Sequence, residues 1–144
     1  MEHQNFQNFA CPSAPYKVRS HLVRYIVEED LLKRLPATFY RTPSGAEPVR
    51  DWLKDDLPPD DRRKIGFDIR TLEFGWPVGM PLCRPLGGGL WEIRIDLPSN
   101  RTARVIFCIA QGRMVLLHSF IKKTQKTPQS DLDLARKRQK EIEQ

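Results

Sequence analysis

The sequence contains few of the residues that build metal centres and disulfide frameworks. Its 144 residues include three cysteines and three histidines, Cys11, Cys83, Cys108, His3, His21 and His118. The cysteines are odd in number and widely spaced, and neither a Cys-x-x-Cys pair nor a ligand-spaced histidine set occurs. This pattern argues against a zinc site and against disulfides. We therefore expect reduced, mostly structural thiols and neither a metal nor another cofactor.

Long apolar runs and targeting signals are also missing. The longest apolar stretches, such as Val115–Leu117, are far too short to span a bilayer. The start, Met1–Gln4, lacks the basic head and apolar segment of a secretory signal. Gly87–Gly89 is not followed by the Gly-Lys-Ser/Thr of a phosphate-binding loop, so it predicts a turn. We expect a cytoplasmic protein of one-domain length with no membrane partner.

The positive charge is concentrated in one part of the chain. The net charge is +6. Residues 1–100 carry fourteen basic and fourteen acidic side chains, whereas residues 101–144 carry ten basic and four acidic ones. This clustering favours a polyanionic partner, with nucleic acid as the first candidate. A solvated helix face would explain the basic residues of 136–140, but Lys122, Lys123 and Lys126 directly follow an apolar strand.

Hydrophobic periodicity predicts an α+β domain over residues 36–144, preceded by an N-terminal extension over residues 1–35. Residues 1–20 have no period and predict a tail, and His21–Leu35 indicates a short helix. The domain begins with a short β-prone segment, Ala37–Thr42, and Trp76–Gly89 predicts a loop.

The other elements of the domain follow from spacing and turn residues. Two amphipathic segments predict an αα-hairpin, three apolar segments predict strands, and the end of the chain predicts a helix. In order, they are Glu47–Leu57, Pro59–Phe74, Leu90–Leu97, Thr102–Ala110, Met114–Ile121 and a helix that starts near Thr127. The sheet would then have four strands and be largely antiparallel.

Arg104 lies inside an apolar strand and requires an explanation, because burying an unpaired charge is costly. It could reach the sheet edge or form an ion pair with Glu92 or Asp96. Alternatively, it belongs to a functional site. If the strands pair through the turn at 98–100, Arg94 and Arg104 can share one face, and Lys122 or Lys123 would add another cation there. The sequence leaves both interpretations open.

A sheet face with several cations suits RNA cleavage. The ribose 2′-OH is an internal nucleophile, so an enzyme must align it and stabilise charge on the phosphate and the leaving oxygen. Arginine suits the phosphate, and lysine can protonate the leaving group. Glu92 and His118 are the candidates for a general base, although His118 in an apolar strand also fits a partly buried structural role.

Several motifs in order resemble the phage-related HigB branch of the RelE/ParE toxin superfamily. The resemblance covers roughly residues 38–141, and its most specific part is the block Lys-Lys-Thr-Gln-Lys-Thr-Pro at 122–128. The segments that carry it are Trp52-Leu53, Leu72–Gly75, Pro81–Leu86, Gly89–Arg94, Arg104–Phe107, Leu116–Pro128 and Asp133–Arg138.

The resemblance implies a microbial RNase fold, with an α-hairpin packed on a curved sheet. It implies a type II toxin that cleaves mRNA on the ribosome without a metal and is silenced by a helix-turn-helix, HigA-like antitoxin. By motif position, the catalytic candidates are Arg94, Arg104, and Lys122 or Lys123. Arg84 and Lys126 are candidates for RNA binding, to which we add Lys137 on the final helix.

Two other functions fit the same sequence. ParE-like members of the superfamily poison DNA gyrase, and fold alone does not separate this activity from RNA cleavage. The chain could also be a non-catalytic basic nucleic-acid-binding module. Glu92 stands where some relatives carry a lysine, so the sequence leaves the identity of the general base open.

Overall fold

The computed structural model describes residues 32–123 and 125–143. The chain divides into two compact units, Met1–Arg34 and Leu35–Gln144. The predicted tail at 1–20 and nearly all of the predicted helix at 21–35 lie outside the described residues. Leu35, the first residue of the second unit, is buried in the core of that unit.

The second unit has α+β architecture, as predicted. Its elements are β1 (Ala37–Phe39), α1 (Pro48–Asp55), α2 (Pro59–Gly75), β2 (Cys83–Gly87), β3 (Leu90–Leu97), β4 (Arg101–Ala110), β5 (Arg113–Lys122) and α3 (Gln129–Glu143). The three apolar strands, both helices before them and the final helix are confirmed. The described part of the chain contains no helix that is long and apolar enough to cross a membrane.

The sheet has five strands and is mixed, which corrects the prediction of four largely antiparallel strands. Its order is β1-β5-β4-β3-β2, with β1 parallel to β5 and the other pairs antiparallel. The additional strand is β2, within the segment predicted as a loop. It has no β-branched residue and contains Pro85, which an edge strand tolerates because one side of its backbone needs no partner. The segment adopts a strand conformation because it pairs with β3, although its composition disfavours a strand.

One face of the sheet packs against α1 and α2. Inward residues of the strands, among them Ile93, Val105 and Phe107, join Ile65 and Leu72 of α2 in one apolar core. The predicted αα-hairpin is not confirmed, since α1 packs mainly on β5 and β1 whereas α2 packs on β3. The two helices are joined at their ends by the Arg62 side chain, which donates hydrogen bonds to three carbonyls at the end of α1 and just beyond, those of Leu53, Lys54 and Leu57.

The opposite face packs against α3 over part of its area. Leu132, Ala135 and Ile142 meet a second apolar core that includes Ile106 and Leu117.

Polar side chains of α3 reinforce this contact with the sheet. Nε2 of Gln139 donates to the Gly88 carbonyl at 2.9 Å, and Nη1 of Arg138 donates to the Leu117 carbonyl at 2.7 Å. The expectation that 136–140 stay solvated is therefore wrong at these two positions, because each side chain has a backbone acceptor that the sequence does not reveal.

Candidate functional site

The part of this face beyond α3 carries charged side chains in adjoining rows. Arg84 of β2 pairs with Glu92 of β3, and Arg94 of β3 pairs with Arg104 of β4. In the next row, Thr102 pairs with Lys122 at the end of β5. Residues that pair directly across strands, and those two positions apart along one strand, share a face. Arg84, Arg94, Arg104 and Lys122 therefore form one group on the sheet, which we call the cationic cluster.

Glu92 lies at the centre of the cationic cluster and is 0% exposed. Nε of Arg84 donates to Oε1 of Glu92 at 3.0 Å, and Nε of Arg104 lies 3.3 Å from the same oxygen. The Thr127 hydroxyl donates to the other oxygen, Oε2. A carboxylate buried this deeply requires such partners. These contacts favour an orienting role for Glu92 over that of a general base.

Arg104 is buried as well, with 2% of its side chain exposed. The sequence allowed an ion pair with Glu92, and the structure contains it, although the Nε of Arg104 makes no hydrogen bond. Burial lowers the pKa of Arg104, opposed by Glu92, and the charges of Arg94 and Arg84 lower it further. Arg104 thus forms an ion pair with Glu92 and also belongs to the cationic cluster. The two interpretations of Arg104 therefore do not exclude each other.

Lys122 and Arg94 are the partly exposed cations of the cluster on β5 and β3. Partial burial lowers the pKa of Lys122, and the neighbouring charges of Arg104, Arg94 and Arg84 lower it further against the opposing effect of Glu92. A lysine whose pKa is lowered gives up its proton more readily, which suits protonation of a leaving oxygen. Nη1 of Arg94 lies 3.9 Å from Sδ of Met80.

His118 lies at the boundary between the cationic cluster and α3. It pairs with Ile106, one row from Arg104, and its ring stacks on that of Phe120 with centroids 5.6 Å apart. Its Nε2 lies 2.6 Å from Oδ1 of Asp131 in the first turn of α3. The carboxylate fixes the orientation of the imidazole, as in many acid–base sites, and it also ties α3 to the sheet.

Three other predicted lysines, the catalytic candidate Lys123 and the RNA-binding candidates Lys126 and Lys137, lie outside the cationic cluster. Lys123 is exposed directly after β5, and Lys126 is exposed in the segment that leads to α3. Lys137 is exposed on α3, the helix that covers the other part of the face. The structure therefore brings together Arg84, Arg94, Arg104 and Lys122. Lys137 lies on α3, outside this cluster.

Two residues of the site were not predicted. Thr127 belongs to the motif block at 122–128, so a signal was present, but its contact with Glu92 crosses 35 residues of sequence. Asp131 is one of several acidic residues of a solvated-looking helix, and nothing in the sequence marks it as the partner of His118. Residues 32–123 and 125–143 contain no group of three His, Cys, Asp or Glu side chains arranged to hold a metal ion.

Comparison with known proteins identifies the family of this chain. A model of the family described as Phage derived protein Gp49-like (DUF891) matches residues 51–140, which is more than half of the chain. The chain belongs to this family. The Gp49-like family is a toxin–antitoxin toxin family related to the RelE and HigB type, and an antitoxin partner is implied in general. The match runs from within α1 through most of α3, so it includes every residue of the cationic cluster. No curated protein matches the chain.

Proposed function

We propose that this Gp49-like chain is the toxin of a type II toxin–antitoxin system and that it cleaves mRNA on the ribosome. The observation that carries the proposal is the cationic cluster, in which Arg84, Arg94, Arg104 and Lys122 share one face of the sheet around a single buried carboxylate. Such a cluster suits one phosphate that gains charge in a transition state.

The proposed chemistry uses the ribose as nucleophile. The 2′-hydroxyl releases its proton to a water molecule as its oxygen attacks the adjacent phosphorus, the bond from phosphorus to the 5′-oxygen breaks, and a 2′,3′-cyclic phosphate forms. Arg94, beside the buried Arg104, stabilises the charge on the phosphoryl oxygens. Lys122 protonates the leaving 5′-oxygen, a role that its lowered pKa favours.

The way the two candidate bases are held supports the proposed need for a ribosome. Glu92 is fully buried and occupied by three partners, and His118 is held by Asp131 with only 16% of its side chain exposed. Neither is presented openly to a flexible RNA. We infer that the protein alone does not align the 2′-OH for attack and that the ribosome supplies this alignment.

Primer extension on a translated message tests this proposal. Wild-type protein should produce new 5′ ends in frame with codons and should leave the same RNA intact without ribosomes. Arg94→Ala should abolish the cuts, and Arg63→Ala, exposed on α2 at the opposite face of the sheet, is the matched control that should retain them. Inhibition of gyrase with intact RNA would replace the proposal with the ParE-like activity, and RNA binding without either effect would indicate a non-catalytic module.

The partner is proposed to be a HigA-like helix-turn-helix antitoxin. An exposed cationic site attracts an acidic or occluding cover. Expression of the chain alone should arrest growth, and coexpression with a helix-turn-helix antitoxin should restore growth and yield a complex that co-purifies. Normal growth with the chain alone would contradict the toxin assignment.

A further inference from the structure

The Glu92 carboxylate joins three separate parts of the molecule. Its partners are Arg84 on β2, Arg104 on β4 and Thr127 in the segment between β5 and α3. A fully buried carboxylate without partners would be strongly destabilising. Because losing any of these contacts carries that cost, the Glu92 carboxylate holds all three partners in place. Glu92 is too enclosed to meet a substrate directly.

We propose that Glu92 and Thr127 are positioning residues of the RNA site. Glu92 orients the guanidinium groups of Arg84 and Arg104, and Thr127 ties the β5–α3 segment to that carboxylate. This inference rests on the proposed function and extends it to two residues that act through the cationic cluster.

The contacts of the two arginines show how the orientation is set. Arg84 donates its Nε–H to Oε1 of Glu92 at 3.0 Å, whereas Arg104 is held by its ion pair with the same oxygen at 3.3 Å and by a hydrogen bond from Nη1 to the Ala103 carbonyl at 3.2 Å. A guanidinium has five N–H donors in a rigid plane, so fixing Nε fixes the direction of the other two nitrogens. Glu92 also places a negative charge among cations that otherwise repel one another. It therefore holds the cluster in one geometry before RNA binds.

The Thr127 hydroxyl is engaged on both sides. It donates to Oε2 of Glu92, and Nη2 of Arg84 donates to it at 3.4 Å. The docking of α3 does not depend on this hydroxyl, because Arg138, Gln139 and the His118–Asp131 pair attach the helix to the sheet independently. Loss of the hydroxyl should thus disturb the site without detaching the helix.

Single-turnover cleavage on programmed ribosomes tests the role of Thr127. Thr127→Val should lower the maximal cleavage rate on the order of 10- to 100-fold, the effect of misplacing groups at a reacting phosphate, with little change in the toxin concentration that gives half the maximal rate. Thr127→Ser keeps the hydroxyl and should restore most of the rate. Thr71→Val, on the exposed face of α2, is the matched control, since the Thr71 hydroxyl bonds only within its own helix.

Glu92→Gln gives a second test with effects of opposite sign. Removing a negative charge from the cluster should leave unchanged or strengthen the binding of a 2′-O-methyl RNA oligonucleotide, measured by fluorescence anisotropy, while the cleavage rate falls by about 100-fold. The alkaline limb of the pH–rate profile should also move to lower pH. Arg104, Arg94 and Arg84 lower the pKa of Lys122, and the variant lacks the charge that opposes them. Glu143→Gln, exposed at the end of α3, is the matched control.

The outcomes separate this inference from the proposed function. Absence of cleavage by the wild-type protein refutes the function. In that case the NMR signal of the Arg84 Nε–H still tests the positioning, because this group donates to Glu92 and should lose protection from solvent exchange in the two variants. The inference would be overturned if Thr127→Val cleaved at the wild-type rate, or if protection of the Nε–H were unchanged in the variants. If Glu92→Gln does not fold, the Thr127 pair alone decides it.

Discussion

Replacement of Arg104 by alanine should affect stability and activity together, because this arginine is both buried and part of the cationic cluster. Its side chain is 2% exposed and pairs with Glu92, which is 0% exposed. Removing one partner of a buried ion pair typically costs 3–5 kcal/mol, since the other charge stays buried. Glu92 retains Arg84 and Thr127, so we expect the lower end, about 3 kcal/mol.

The matched control is Arg94→Ala. Arg94 pairs directly with Arg104 across the two strands but is partly exposed. Its loss should change the free energy of unfolding by less than about 1 kcal/mol, as at most surface positions. Both variants should lower ribosome-dependent cleavage by about 100- to 1,000-fold, the typical cost of losing one donor to a developing charge.

Thermal and urea denaturation of the purified toxin measure the stability difference. For a domain of this size, 3 kcal/mol corresponds to a fall in Tm of roughly 12 °C. A double-mutant cycle with Glu92→Gln should show coupling, because the neutral amide no longer leaves a buried charge behind when Arg104 is removed. Equal stability of the two alanine variants would refute the assignment of Arg104 to a buried ion pair. Full cleavage by Arg104→Ala would remove it from the site.

Four further predictions concern two turn glycines, the two buried cysteines and Lys122. Gly87→Ala and Gly89→Ala should each be destabilising by about 1 kcal/mol because both glycines have positive φ. Urea denaturation should show a further cost of about 1 kcal/mol for Gly89→Ala, because its Cβ would lie 2.9 Å from the side-chain Nε2 of Gln139 and would displace the hydrogen bond from that amide to the Gly88 carbonyl. Equal costs would contradict the docking of α3 through Gln139. Burial raises the pKa of Cys83 and Cys108 to about 11, so both thiols should resist alkylation in the native protein at pH 8, measured by peptide mass spectrometry. The thiols ionise at a higher pH in the folded protein than in the unfolded chain. Their contribution to the free energy of unfolding is therefore present below about pH 9 and is lost as the pH rises through 11. The lowered pKa of Lys122 predicts that cleavage declines at a lower alkaline pH than an ordinary lysine would give, and Lys122→Arg should remove this decline.

Much of the sheet could be predicted because its central strands combine apolar composition with clear turns. The turn at 98–100 has positive φ at Ser99 and Asn100, and it sets the register in which Arg94 faces Arg104. The convergence of these two arginines was therefore predictable from alternation together with this turn. The depth at which Arg104 and Glu92 are buried was not, because alternation assigns a residue to a face without showing what covers that face.

Other features depend on contacts between distant segments. Strand β2 has a composition that favours a loop, and it forms because β3 offers an open edge. Glu73 of α2 is similar, since its carboxylate accepts the Ala37 backbone N–H at 2.8 Å and so helps place β1 beside β5. Buried Asp61 binds Arg101 through two hydrogen bonds across 40 residues, which attaches the start of β4 to α2. No local pattern distinguishes these acidic residues from their solvated neighbours.

The position of Lys122 depends on an irregularity in β5. Phe107 pairs with Leu116 while Ile106 pairs with His118, so Leu117 is an extra residue on this strand. Strict alternation from Leu116, which lies in the core beneath α1 and α2, would send position 122 to that same apolar side. The inserted residue reverses the phase, and Lys122 instead pairs with Thr102 on the face of the cationic cluster. Plain alternation already sends Leu116 and Leu117 to the cores on opposite faces, and the bulge adds to the same strand a cation that reaches the site at its end.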